Sequence, residues 1–591
     1  MKFKWSNYLL PIIVVVVLIG ISFGLDSDLK TLSRAGVPNK KPGIVVNQVG
    51  YLPQWQKIAF FRSNTKVNEK LELPKKVKLI DRDTEQEVAD LPIKPATIDG
   101  NSADRVSRID FSQIDRPGTY YLSNGKYKSV TFTIGTDIYQ APLVELLRSY
   151  HLLRCGVALE DELSGISHPP CHLSDGILAH TDSINNEGEK IDAVGGWHDG
   201  GAYNKYVATT TVTIGRLLSL YEQNPDLFPD SQLNIPQSDN GKSDLLDEME
   251  FALNWLLKMQ RSDGAVYRKV AGVTWPLGLA PDEEIEPRKV YGISTPETAK
   301  FAAVMAIASR NFASIDKQLA DRYLASAELA WQYLKTQPEM IIDWAIDDDT
   351  GSDKYLADEF NTEESLTTDI DDRLWAAAEL YIATGNNNFA SYFANNLDRV
   401  DYDLFEWKNP VSLGAINYLR QKQQPVSTEI SNRIKTKIIQ KADSILAIAQ
   451  KNPYQIANDR FIWGSNRLIA ESGITLAYAH QITNQKKYSH GAIAQLNYLL
   501  GRNHFNQTFI TNVGTNPVQN LSNIYTRAKS IKMPGMVVSG ANATAVDGRA
   551  YYNKGYLSYA DDKLAFSTNG NATDYNASVI SLIVNLIISK I

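Results

Sequence analysis

Cys155, Cys171, His172 and His198 fall within 44 positions of one another. Two thiolates and two imidazoles complete a tetrahedral Zn²⁺ shell, and a shell closed by four protein ligands leaves no open position for catalysis, so the role would be to staple loops around a cleft. The spacing is not that of a zinc finger. A second reading stays open: the cysteines are small buried apolar groups or disulfide partners, and the histidines bond locally. Two cysteines are too few for a disulfide framework.

The next constellation is Gly195-Gly196-Trp197-His198-Asp199-Gly200-Gly201-Ala202-Tyr203-Asn204-Lys205-Tyr206. A glycine-rich loop that holds Asp199 beside Trp197 and Tyr206 has the parts of a sugar subsite, an aromatic face for pyranose C–H groups and a carboxylate for hydroxyls or water. A tight structural loop has the same composition. Trp275, Trp375 and Tyr575 are further candidates for contacting a sugar, although aromatics more often pack in a core. Asp244, Asp247 and Glu248 could give oxygens to a Ca²⁺ ion, but acidic residues at the start of a helix need no metal to explain them.

Elements that would hold these groups can be read from hydrophobic periodicity. From Ile44 short β-type runs alternate with turns: Ile44–Val46, Lys57–Phe61, Val77–Ile80, Thr119–Leu122 and Val130–Ile134, with Pro117-Gly118 marking a turn before a strand. Such runs without helical segments between them indicate a small β-sandwich, placed here at residues 44–136. Beyond Tyr139 the period becomes helical, in Glu248–Gln260, Thr298–Arg310, Leu319–Leu334, Leu374–Ala383, Ile439–Gln450, Arg467–Gln481 and Ala492–Leu500. Residues 137–591 are therefore expected to be all-α, without supporting strands.

The chain has 591 residues, 43% apolar and 21% charged, which is globular composition with room for more than one folded unit. Its formal net charge of -7 and lack of a basic stripe speak against a nucleic-acid partner. Lys2 and Lys4 precede an uncharged apolar run from Tyr8 to Leu25. With no small-x-small cleavage site before Asp26, residues 1–25 read as a retained membrane anchor with its lysines cytoplasmic and the globular part outside. A cleaved secretory signal is the alternative. Residues 26–43 read as a tether.

On these motifs the chain resembles the glycoside hydrolases of family 9. The loop 195–206 is similar to the family signature Gly-Gly-Trp-His-Asp-Ala-Gly-Asp-Tyr-Gly-Lys-Tyr, and Val46-Asn47-Gln48-Val49-Gly50-Tyr51 is similar to the start of the Ig-like module that often precedes it. Leu245–Glu248, Trp255–Gln260, Arg373–Leu380 and Leu500–Asn503 extend the resemblance. It implies an Ig-like β-sandwich followed by an (α/α)6 barrel with a cleft for β-1,4-linked glucan, hydrolysed with inversion. It also implies a Cys2His2 zinc site at Cys155, Cys171, His172 and His198, and structural calcium.

Three departures fall on the chemistry. Inverting hydrolysis needs a carboxylic acid and a carboxylate about 6.5–9.5 Å apart. The signature puts Asp199 on the water-orienting aspartate but Ala202 on the general base. In Thr568-Asn569-Gly570-Asn571-Ala572-Thr573-Asp574-Tyr575-Asn576-Ala577 the flanking residues place Gly570 where the acid belongs. A third signature begins with Val513–Asn520 but lacks its His-His-Arg, and Arg527 comes three positions late. Asp574, Asp561 and Asp562 are the candidates for relocated carboxylates. The reading that follows is an exported, membrane-anchored β-glucan-binding protein with little or no hydrolysis. An active glycosidase with relocated carboxylates and a scaffold for envelope proteins are the alternatives.

Overall fold

The computed structural model describes residues 41–65, 73–274, 276, 278–343, 366–403 and 406–589. The anchor over residues 1–25, most of the tether and Trp275 lie outside the described residues. Among the described residues no helix is long and apolar enough to cross a membrane.

Nine strands form the N-terminal sandwich. One sheet runs in the order β1 (Gly43–Val45), β3 (Ile58–Asn64), β7 (Asp104–Asp110), β6 (Thr97–Ile98). The other runs β2 (Gly50–Tyr51), β9 (Phe132–Ile134), β8 (Gly118–Ser123), β4 (Lys76–Asp81), β5 (Glu87–Pro92). Alternation along β4 sends Val77 and Leu79 inward while Lys76 and Lys78 stay outside, and β5 returns antiparallel with Val77 opposite Leu91. Tyr51 meets Phe111 and Phe132 edge to face in the core between the sheets.

The opposite face of β3 does not meet water. Phe60 packs on Tyr454, and Arg502 lies over the Phe60 ring, so both faces of this strand are buried and its sequence Ile-Ala-Phe-Phe is continuously apolar. Buried polar groups complete the join: Asp104 accepts from Tyr454 Oη (2.6 Å) and lies 2.7 Å from His504 Nδ1. Tyr556 Oη donates to Asp99 (2.5 Å), and Asn47 Nδ2 to Asn497 Oδ1 (2.9 Å).

The helical part is an (α/α)6 barrel. Its inner helices follow one another around the ring as Val207–Gln223, Thr295–Phe312, Ile370–Thr384, Val411–Arg420, Ser465–Thr483 and Thr573–Ile588. The last packs back on the first, and Arg420 joins the fourth to the fifth by donating to Tyr478 Oη at 3.2 Å. Inner helices are buried nearly all round, as the run Phe301–Ala308 illustrates. Outer helices carry one apolar stripe: in Thr428–Lys451 the buried positions Ile430, Ile434, Ile438, Ala442 and Ile445 recur at helical spacing. Caps fix the boundaries. Ser294 accepts from Glu297 N–H at the start of one inner helix, and Gly385 ends another with φ 71°, its N–H donating to Tyr381 O.

The expectation of a strand-free helical region needs correction. Ile177–Leu178, Arg288–Ile293, Tyr267–Gly272 and Lys205–Tyr206 form a four-stranded sheet in that order. Lys205 and Tyr206 pair with Val270 and Lys269, so this sheet carries the end of the glycine-rich loop.

Candidate functional site

Two backbone segments cross antiparallel at the loop's centre. Cys155 N–H donates to Gly196 O and His198 N–H to Leu153 O, both at 2.8 Å, which sets Cys155 beside His198. Gly196 can sit here because it has φ 78° and a Cβ would lie 2.7 Å from the Trp255 ring. Cys171 and His172 arrive on another loop, where His172 takes φ 53°, a left-handed conformation that costs a non-glycine residue about 1 kcal/mol.

His172 Nδ1 lies 3.6 Å from Cys155 Sγ and 3.3 Å from His198 Nε2, and Cys171 Sγ lies 3.7 Å from His198 Nε2. All four ligand atoms are within 4.8 Å of one another and buried. Zn–N bonds of about 2.05 Å and Zn–S bonds of about 2.3 Å give tetrahedral edges of about 3.3 Å between nitrogens and about 3.6 Å between nitrogen and sulfur. The donor set therefore fits Zn²⁺ in type, number and spacing. Both thiols are free. Burial opposes ionisation of Cys155, yet its contacts with Cys171 and the nearby charges of Lys205 and His198 hold its thiol well below the usual range. Burial pushes His198 down to about 4, towards the neutral imidazole that a metal requires.

Sequence reasoning missed the supports of this cluster. Glu284 accepts from the other ring nitrogen of His172 at 2.9 Å, which fixes the tautomer presenting Nδ1 to the centre. Asp175 holds Arg288 through two contacts (2.9 and 2.7 Å) and Lys205 at 2.7 Å, while Lys205 also donates to Ala193 O and Gly195 O. The β-type residues Val290, Tyr291 and Ile293 were the available signal for the strand behind them.

Asp199 is buried and serves four donors. Its Oδ1 accepts from Gly200 N–H and Thr573 N–H, both at 2.8 Å, and its Oδ2 from Thr573 Oγ1 (3.1 Å) and Thr209 Oγ1. Burial, followed by the charge of Asp574, pushes the carboxyl up to about 6. Asp199 thus ties the glycine-rich loop to the start of the last inner helix.

The positions of the expected base and acid are filled in. Ala202 and Gly570 are both buried. Residues 520–524 run between the two segments: Ser522 N–H donates to Asn569 O (2.9 Å), Ile524 N–H to Gly201 O (2.8 Å), and Asn523 Nδ2 to Asn571 Oδ1 (3.2 Å). A Cβ at Gly201 would come within 2.8 Å of Ser522 O. Gly570 has ordinary extended backbone, φ -72° and ψ 156°, so a glutamate there meets no left-handed strain. The obstacle is steric, because a Cβ would lie 2.7 Å from Phe566 O.

Several sequence expectations change when the side chains are placed. Trp197 is fully buried, stacked near Tyr150 with its Nε1–H donating to Glu248 (2.8 Å), and Trp375 is fully buried against Gly215 and Gly414. Neither can face a sugar. Tyr575 is buried near Gly464, while Tyr206 is half-buried and accepts from Asn204 Nδ2. Asp574 is buried in an ion pair with Arg467 (2.9 Å), not presented to a cleft. Asp561 accepts from Gln507 Nε2 and from the N–H groups of Gln519 and Asn520, and Asp562 from Leu564 N–H.

The carboxylates suggested for calcium each have protein donors of their own. Asp244 accepts from Leu233 N–H (2.6 Å) and Ser238 Oγ (2.8 Å). Asp247 pairs with Lys242 (2.7 Å), and Glu248 with Arg154 (2.8 Å).

The family model described as "Glycosyl hydrolase family 9" matches residues 139–583, and "Cellulase N-terminal ig-like domain" matches residues 39–129. Endoglucanase D of Acetivibrio thermocellus is 30% identical over 494 residues, covering 82% of this chain and 75% of that protein. The xyloglucan-specific endo-beta-1,4-glucanase BoGH9A of Bacteroides ovatus is 30% identical over 601 residues, covering 98% of each. The crystal structure of a metagenome-derived glycoside hydrolase family 9 endoglucanase superposes with a TM-score of 0.86 at 35% identity, covering 92% of this chain and 99% of that one. A Zn-binding triple mutant of the family 9 endoglucanase J30 gives 0.82 at 31% identity, covering 90% and 99%.

Proposed function

This chain belongs to glycosyl hydrolase family 9, and from that premise we propose that it binds β-linked glucan outside the cell and hydrolyses it little or not at all. The observation that carries the reading is the packing at Ala202 and Gly570. Neither position offers a carboxyl group, and residues 520–524 bridge the two segments through backbone hydrogen bonds. Losing a general acid or base typically costs about 10²- to 10⁴-fold for each role. Relocated catalysis has little support, because Asp574 is committed to Arg467 and Asp199 to four donors.

Binding is supported by a cavity of about 490 Å³ beside this bridge, lined in part by Asn520, Leu521 and Arg527. The test pairs calorimetry with product analysis, using cellopentaose and a xyloglucan oligosaccharide. Binding without released product is expected, and turnover at ordinary enzyme rates would overturn the claim of silence. Failure to bind either sugar would favour the envelope-scaffold reading.

Zinc belongs to the same proposal as a structural element. Cys155, Cys171, His172 and His198 would hold it, and when bound it would lock the two loops together without an open position for water. Calcium through Asp244, Asp247 or Glu248 has no comparable support, given the protein donors already on those oxygens. Export with a retained anchor rests on Lys2, Lys4 and the apolar run Tyr8–Leu25. N-terminal sequencing of the mature protein checks it, and a start after Leu25 would replace the anchor with a cleaved signal.

A further inference from the structure

The cavity beside residues 520–524 has an unusual charge. Arg527, Lys532 and Lys563 line it, whereas no Asp or Glu is among the described residues lining it. The whole chain carries a formal charge of -7, so three cations gathered at one cavity run against the average field.

Their hydrogen bonds leave most of their donors uncommitted. Arg527 Nη1 has only weak contacts, at 3.3 Å, with Ser522 Oγ and the Lys563 carbonyl. Lys532 Nζ has one at 3.3 Å with Gln519 Oε1. None of the three pairs with a carboxylate among the described residues. Asp561, two residues before Lys563, has its oxygens engaged by Gln507, Gln519 and Asn520 instead.

The remaining lining suits a sugar. Asn512 and Asn520, whose Nδ2 groups donate to Glu145 and to Asp561 O, keep Oδ1 acceptors, and Leu163 and Ile531 offer apolar surface. A volume of about 490 Å³ is in the range of small-molecule sites and well beyond one inorganic anion. We infer that this cavity receives an acidic sugar unit of a β-linked oligosaccharide, with the carboxylate held by Arg527, Lys532 and Lys563. The inference rests on the cavity being the glycan site proposed above and specifies which glycan it selects.

The test compares a β-linked oligosaccharide carrying one glucuronic acid unit with the same oligosaccharide after carboxyl reduction, by calorimetry on the full chain. The acidic ligand should bind at least tenfold more tightly, and the advantage should shrink severalfold as salt rises from low to high ionic strength. Arg527→Gln should remove about tenfold of that advantage, as charge-assisted hydrogen bonds are lost, while Arg527→Lys should restore part of it. Lys532→Gln and Lys563→Gln, at exposed side chains, should each cost a few-fold for the acidic ligand and less for the neutral one. These two keep the test decisive if Arg527→Gln fails to fold.

Equal affinity for the two ligands would overturn the inference and spare the broader glycan reading. Binding of neither would overturn both. Sodium sulfate binding as tightly as the acidic oligosaccharide would reduce the cavity to a simple anion site and overturn the sugar assignment.

Discussion

One twelve-residue loop serves two neighbourhoods of opposite composition. At His198 it meets Cys155, Cys171 and His172 in a complete set of metal ligands, backed by Glu284. One residue later the loop turns towards Ala202 and Gly570, where neither residue carries a carboxyl group and residues 520–524 bridge the two segments. The first neighbourhood gathers buried ligand-type side chains from loops that the Lys205–Asp175 ion pair also joins. The second holds Asp199, which ties the loop to the last inner helix through Thr573. Loss of any one of the four clustered side chains would strand three buried polar groups.

The largest expected effect is at the ligands. Cys171→Ser should lower stability by several kcal/mol, because binding free energy at a structural zinc site is folding free energy. Metal analysis with thermal melts checks this; an unchanged melting temperature in a chelator would undo the contrast between the neighbourhoods. Next comes Gly570→Glu, which must push its Cβ against Phe566 O and should cost roughly 1–3 kcal/mol. Pairing it with Ala202→Asp is the obvious attempt to restore hydrolysis. The expected result in product analysis is a destabilised protein without turnover, and inverted product from a folded double variant would mean that the bridge can open.

A smaller effect is expected behind the metal. Glu284→Gln should weaken zinc about 10- to 100-fold by loosening His172, measured by competition with a chelator. An effect of a different kind, on pH dependence, lies in the barrel interior at Glu471. It accepts from Arg216 (2.7 Å), its other oxygen has no partner among the described residues, and burial pushes its carboxyl up to about 8. A raised acid pKa means the folded state holds the proton more tightly than the unfolded chain. Stability from this group is full at low pH and is lost as pH rises through about 8. Glu471→Gln should flatten the fall in melting temperature between pH 5 and 9. If the slope is unchanged, another group sets it.

How much of this was legible in the sequence depended on whether a signal was local. The grouping of Cys155, Cys171, His172 and His198 was legible because residue type alone limits what two cysteines and two histidines can do. The outer helices were legible from their stripes, and β4 from its alternation. Val207–Gln223 escaped because its threonine-rich start breaks the apolar period, and Asp104–Asp110 because charged residues interrupt it. Trp197 and Trp375 were misplaced for a different reason. An indole suits a sugar or a core equally well, and only the three-dimensional neighbours Glu248 and Gly414 decide between them. Glu284 and the Asp175–Arg288–Lys205 group act across more than a hundred positions or between separate loops, beyond any local pattern.

The join between sandwich and barrel bears on how such a gene can be cut and recombined. Protein evolution often shuffles modules at the borders visible in sequence, and the border near residue 136 looks like one. Asp104 nonetheless reaches out of the sandwich to accept from Tyr454 and to neighbour His504, both on the barrel, with Phe60 seated between Tyr454 and Arg502. A barrel transplanted without its sandwich would inherit a phenol, an imidazole and a guanidinium fitted to a surface that had been left behind.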